Sequence, residues 1–186
     1  MTDSTDDPLA LGIRTGLPDA LRVLADELPR AGWESHPGFA GLAQFWMERH
    51  LLFRRLMDAL QTDAEARLDG GMSAQDHAAR VQRLGGMLVG TLHEHHGVED
   101  AVYFPQMQGM EPRLLRGFEM LDRDHHALDD WLARFTTAAN TAIRQPDRDA
   151  VGAFHGELAR FAPLLSRHLE DEEDLVVPVI LRTGLR

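Results

Sequence analysis

The sequence predicts an all-α protein: an up-down-up-down four-helix bundle preceded by a short extra N-terminal helix. Three observations carry this expectation. Helix formers (Ala, Leu, Arg, Glu, Met) dominate, whereas there is a single Tyr and β-branched residues are sparse. Apolar residues recur three and four apart over four long stretches, the spacing of a helix that buries one face. The breaks between those stretches are short and carry Gly and Pro, so consecutive helices run antiparallel.

Residues 1–16 are expected to form a flexible N-terminal tail, and 17–186 the bundle, with its core over 39–180. Pro18 to Leu28 reads as a short amphipathic helix and Pro29 to Pro37 as a loop. The first long helix runs from about Phe39 to Gln61 and ends before the Asp69-Gly70-Gly71 break. The second starts near Ser73, an N-cap with Asp76 three residues on, and reaches about Phe104. Pro105, Gly109 and Pro112 punctuate the next loop; Pro112 suits the first turn of a third helix that continues to about Asn140. Pro146 and Asp147 open the fourth, which is expected to end before Pro178. Pro163 lies inside it and should kink it, because it frees the Ala159 carbonyl.

With 186 residues and 44% hydrophobic content, the chain suits one domain with a sizeable core. The N-terminal stretch has no basic and apolar regions of the kind a secretory signal carries. No apolar run approaches the ~18 residues of a membrane span, so no membrane partner is expected. The absence of cysteine excludes disulfides, Fe–S clusters and thiolate zinc sites, and fits a cytoplasmic location. The net charge is −11, and the basic residues, all Arg, are scattered. That argues against a phosphate-tracking surface and so against nucleic acid. Nothing in the sequence sets an oligomeric state.

Histidine is the anomaly, at 10 residues. The core lines read Ala43, Trp46, His50, Phe53, Met57, Leu60 on the first helix and Leu84, Leu88, Leu92, His95, Glu99, Val102 on the second. The third gives Leu114, Phe118, Leu121, His125, Leu128, Leu132, Phe135, and the fourth Leu158, Phe161, Leu165, His168, Glu172, Leu175. Each line is interrupted by one His, and two add a Glu one turn later. The second and fourth helices repeat one device at an offset of 73 residues: Leu92-x-x-His95-x-x-x-Glu99-x-x-Val102-x-x-Pro105 matches Leu165-x-x-His168-x-x-x-Glu172-x-x-Leu175-x-x-Pro178. The neighbours His96 and His126 point roughly 100° off these lines and, with His93, read as exposed. Trp33, Trp46 and Trp131 read as packing residues, and His77 falls on the second line, far from the other histidines.

A buried polar group left unpaired costs on the order of 1–3 kcal/mol, and a buried charge more. Four imidazoles and two carboxylates on four core lines would consume much of a domain's ~5–15 kcal/mol stability. Metal coordination pairs them all. The set is too large for one tetrahedral zinc and suits two carboxylate-bridged ions, with iron favoured over manganese or zinc. The metal ligands expected are therefore His50, His95, Glu99, His125, His168 and Glu172. The ferritin-like Glu-x-x-His pattern is absent; Asp122-x-x-His125 comes nearest.

His on the first helix, His-x-x-x-Glu followed by Phe104-Pro105 on the second, His on the third and His-x-x-x-Glu on the fourth resemble the hemerythrin-like, HHE cation-binding family, over roughly Phe39 to Ile180. The resemblance implies a non-haem di-iron centre bridged by the two glutamates, which binds or senses oxygen or a related small ligand. A di-iron redox enzyme acting on nitric oxide or peroxide, or iron storage or a structural metal clamp, are the alternatives it leaves. Oxygen-carrying members have a second His on the third helix, four residues after the first. Asp129 stands there instead, which argues against a simple oxygen carrier. The repair proteins of the family usually carry an N-terminal segment with cysteine, which this chain lacks.

Overall fold

The computed structural model describes residues 7–186. Among these there is no strand, and most of the chain is helical. Short 3-10 turns at Asp19–Leu21 and Arg30–Gly32 flank α1 (Val23–Glu27). Then follow α2 (Leu42–Leu68), α3 (Ala74–Val98), a π-helical turn at Glu99–Tyr103, and α4 (Phe104–Met110). A 3-10 turn at Pro112–Leu114 leads into α5 (Leu115–Arg144), and α6 (Arg148–Thr183) completes the fold.

Local chemistry sets most of these boundaries. Gly70 takes a left-handed φ of 78°, which lets the Gly71 N–H reach the Ala66 carbonyl and the Gly70 N–H reach Arg67, the double closure that ends α2. The helix thus runs on to Leu68, beyond the expected Gln61. Ser73 caps α3 as predicted: its Oγ accepts the Asp76 N–H at 3.0 Å and donates to the Asp76 carboxylate. Asp147 accepts the Ala150 N–H at the start of α6.

Two proline expectations are corrected. The helix that ends α3 does not stop at Pro105. The π turn intervenes, the Phe104 N–H donating to the Glu99 carbonyl five residues back, and α4 continues to Met110. Pro105 has no N–H to offer, and its ring would crowd the carbonyl one turn earlier; the wider turn makes room. The extra residue also shifts the helical phase. Val102, placed on the core line by a 3.6-residue period, is 43% exposed, and Phe104 takes the inward position at 3%. Likewise α6 holds Pro163 inside it, as expected, but also passes Pro178, where it was expected to stop, and ends at Thr183. A proline inside a helix costs about 3 kcal/mol or more. Around Pro178, however, Leu175, Val176, Val177, Val179 and Ile180 are all buried, and each contributes roughly 1.5–3 kcal/mol. Packing decides the outcome.

The chain sorts into two compact units, and the division falls inside α2, α3, α5 and α6. The first takes the chain to Leu51 with Gly97–Ala127 and Ser166–Arg186; the second takes Leu52–His96 and Leu128–Leu165. The first unit's core gathers Leu17, Leu21, Leu24 and Trp33 from the N-terminal segment with Trp46, Phe104, Phe118 and the apolar end of α6. Of the tail expected over 1–16, residues 1–6 lie outside the described residues; within 7–16, Leu11 and Arg14 are buried. The second unit's core is aromatic and aliphatic: Phe135 packs on Phe154 at 5.7 Å and Phe161 at 6.3 Å, with Phe53, Leu60, Leu88 and Leu92 fully buried.

Candidate metal centre

Helical periodicity brings His50, Glu99, His125, His168 and Glu172 into the interior of the first unit, each no more than 3% exposed. His95 and His96 are the two α3 residues that precede Gly97, where the chain enters that unit. Two groups of ligand atoms result, and within each group the atoms all lie within 4.8 Å of one another. One is His50, His95, Glu99 and Glu172; the other is His96, His125 and His168. All six sequence-predicted residues are thus brought together, with His96 as a seventh.

Three rings share one polarity. Each turns Nε2 toward a central glutamate and Nδ1 toward an outer carboxylate. His50 Nε2 is 3.2 Å from Glu172 Oε1, and its Nδ1 is 3.0 Å from Glu173. His168 Nε2 is 3.2 Å from Glu172 Oε2, and its Nδ1 is 3.3 Å from Asp124. His125 Nε2 is 3.5 Å from Glu99, and its Nδ1 is 2.8 Å from Asp100. An outer carboxylate that accepts the Nδ1 proton leaves Nε2 facing inward, the nitrogen that a bound cation would use. Glu172 presents one oxygen to each group, and its Oε1 also accepts the Trp46 indole N–H. Trp46 in turn meets Tyr103 edge to face at 5.1 Å.

Electrostatics follow from this crowding. Burial opposes charging the rings, but Glu172 and Glu173 outweigh it at His50, whose pKa is raised. At His168 burial is again outweighed, by Asp124 and Glu172, and the pKa is pushed up to about 9. Burial, reinforced by the charge of Glu172, drives Glu99 well above the ordinary carboxylate range. Asp124 goes the other way: burial is overcome by Arg14 and His168, and its pKa falls. The raised pKa values at His50, Glu99 and His168 favour retaining protons in this cluster, a role that a bound cation can take over.

A family model for the hemerythrin HHE cation binding domain matches residues 41–180. The chain belongs to the hemerythrin HHE cation-binding domain family. No curated protein and no solved structure matches it significantly. The matched span covers α2 through nearly all of α6 and so includes every member of both ligand groups. As an HHE domain the chain is a cation-binding protein, and its donor set fits a metal: imidazole nitrogens and carboxylate oxygens, buried and convergent, without thiolate.

Several residues of this HHE domain escaped the sequence reading. His96 was expected at the surface and is 4% exposed. It lies four residues after Leu92 on the buried side of α3, and the two members of the His95-His96 doublet fall in different groups. Trp46 is more than packing, since its N–H reaches Glu172. Glu173, Asp100 and Asp124 back the imidazoles; their signal was adjacency, for each sits next to a predicted ligand. Asp129 pairs with His93 at 3.4 Å, both side chains 55% exposed, as a solvated pair. His126 is exposed, with Nδ1 2.8 Å from the Asp122 carbonyl oxygen. No helix among the described residues is long and apolar enough to cross a membrane.

Proposed function

We propose that this HHE domain holds two non-haem iron ions and reversibly binds or senses oxygen or a related small ligand. His50 and His95 would hold one ion and His96, His125 and His168 the other, with Glu99 and Glu172 shared between them. The observation that carries the reading is the common orientation of His50, His125 and His168: Nδ1 held by an outer carboxylate, Nε2 turned to a central glutamate. Rings that merely satisfy a core have no reason to share that polarity. The imidazole–carboxylate donor set favours iron over zinc or manganese. Bound iron would supply a redox-active centre with positions for a diatomic or peroxide ligand.

The chain's own residues do the rest. Glu173, Asp100 and Asp124 orient the imidazoles and raise their basicity. Trp46 fixes one oxygen of Glu172. The apolar rings of Phe53, against His95, and Phe104, against His125, pack beside the imidazoles and limit water there. His96 adds a fifth imidazole to the two groups, from a different helix than the one that carries Asp129. The same reading carries an up-down-up-down arrangement of α2, α3, α5 and α6, supported by the short connections after Leu68 and Arg144, and a cytoplasmic location, supported by the lack of cysteine.

Anaerobic iron loading followed by optical spectroscopy with oxygen, nitric oxide and peroxide in turn tests the proposal. An oxygen band that disappears on removing oxygen and returns on readmitting it is the expected result. Consumption of nitric oxide or peroxide over many turnovers would make the protein an enzyme, and no response to any ligand would reduce it to a metal store or clamp.

A further inference from the structure

Two arginines upstream of the matched domain reach the carboxylates behind the imidazoles. Arg14, its side chain 2% exposed, donates Nε to Asp171 at 2.7 Å and Nη1 to Asp124 at 2.8 Å, while Nη2 closes a second bond to Asp124. Nη1 also donates to the Leu9 carbonyl at 2.7 Å, so the guanidinium is tied to its own segment. Arg30 donates Nη1 to Glu173 at 2.6 Å, Nε to Asp174 at 2.7 Å and Nη2 to the Glu170 carbonyl at 2.8 Å, and stacks on Trp33 at 5.0 Å. Two relays result: Arg14–Asp124–His168 and Arg30–Glu173–His50. They end on different ligand groups.

We infer that Arg14 and Arg30 are positioning residues, each setting the affinity for one of the two ions through the carboxylate that orients His168 or His50; this rests on the two-ion reading. The physical need is plain. Asp124, Asp171, Glu172, Glu173 and Asp174 crowd together with Glu99 and Asp100, and like charges in a buried space repel. Without a cation on its outer side, Asp124 or Glu173 would turn toward solvent or take up a proton, and the imidazole behind it would lose its fixed tautomer. An arginine fork clamps both oxygens at once; a lysine supplies charge without that geometry. The segment that carries both residues is anchored independently, by Leu17, Leu21, Leu24 and Trp33 in the first unit's core. The clamp therefore sits on a fixed support.

The test is a cobalt(II) titration of the full chain, followed by calorimetry and visible absorption, with the two binding steps assigned beforehand by His95→Ala and His96→Ala. Arg30 is 42% exposed at its side chain, so Arg30→Met should fold. It should weaken the step assigned to the His50 and His95 group by about 10- to 100-fold and leave the other within about twofold. Arg14→Lys keeps the charge, and Asp171 retains Arg167 at 2.6 Å, so this variant too should fold. It should weaken the His96, His125 and His168 step selectively. In a Glu173→Gln background, Arg30→Met should add no further loss, because it acts through Glu173. A purely structural role would lower the melting temperature without changing either affinity of the folded protein. That result, or an equal loss of both steps, overturns the inference while leaving the two-ion reading intact. Failure of the unaltered chain to take up cobalt removes the two-ion reading and this inference with it.

Discussion

His168 in the first unit and His77 in the second are both fully buried histidines on a helical core line, yet their surroundings are opposite. His168 has a carboxylate at each ring nitrogen, Asp124 at 3.3 Å and Glu172 at 3.2 Å, and its pKa is pushed up to about 9. His77 lies edge to face on Phe154 at 6.2 Å, and neither ring nitrogen has a hydrogen-bond partner among the described residues. Burial, then the charge of Arg67, lowers its pKa despite the opposing charge of Asp63. Position on the seam and depth of burial are therefore the same for a histidine of the candidate metal centre and for a core histidine. Carboxylate company separates them.

The largest expected effect tests that company directly. Glu172→Gln removes the charge facing both His50 and His168, and should cost more than the roughly 100-fold of an outer carboxylate at both metal-binding steps; retention of either step at native strength would break the comparison. In the second unit the reverse holds. Phe161→Ala should destabilise by about 3–5 kcal/mol in chemical denaturation while leaving metal stoichiometry unchanged. A loss of metal from that variant would mean that the aromatic packing around Phe161 takes part in holding the site. Next comes the doublet. His96→Ala should abolish one binding step, whereas His126→Ala should leave both; the opposite pattern would place the grouping of His96 with His125 and His168 in error.

The smallest effect concerns His77. Its depressed pKa means that the unfolded chain takes up a proton more readily than the folded one, so stability is present above the unfolded value near 6.5 and lost as pH falls below it. His77→Leu should be neutral or stabilising by up to about 1 kcal/mol at neutral pH and should flatten that acid loss. His168 has the opposite sign. In the metal-free protein its stabilisation is fully present below about 6.5 and lost as pH rises through about 9. Melts of the metal-free protein across this range, with His168→Gln as the control, should show a decline on the alkaline side that the variant lacks.

The sequence showed helix content, three of the four long-helix starts and the six clustered His and Glu candidates plainly, because all rest on local signals: a period, a cap, a turn. Ser73 and Asp147 announced their helices by side chains that accept backbone N–H groups. What local signals missed has a tertiary cause. Pro178 reads as a terminator, yet it lies in a stretch so deeply buried that packing outweighs the lost hydrogen bond. Val102 was misplaced because a regular 3.6-residue period was carried across a turn that holds an extra residue; His96 precedes that turn and lies four residues after Leu92, so either member of the doublet could continue the line. Arg14 and Arg30 were invisible, since their partners lie 110 to 157 residues away along the chain.

The measurement that bears most directly on the central claim is elemental analysis of the chain after anaerobic loading with ferrous iron and removal of unbound metal. The two groups of donor atoms, with Glu99 and Glu172 proposed to bridge the ions, should hold about two ions per chain. A firm value near one would leave a mononuclear site, and a value near zero would make the shared orientation of His50, His125 and His168 a matter of internal ion pairing alone.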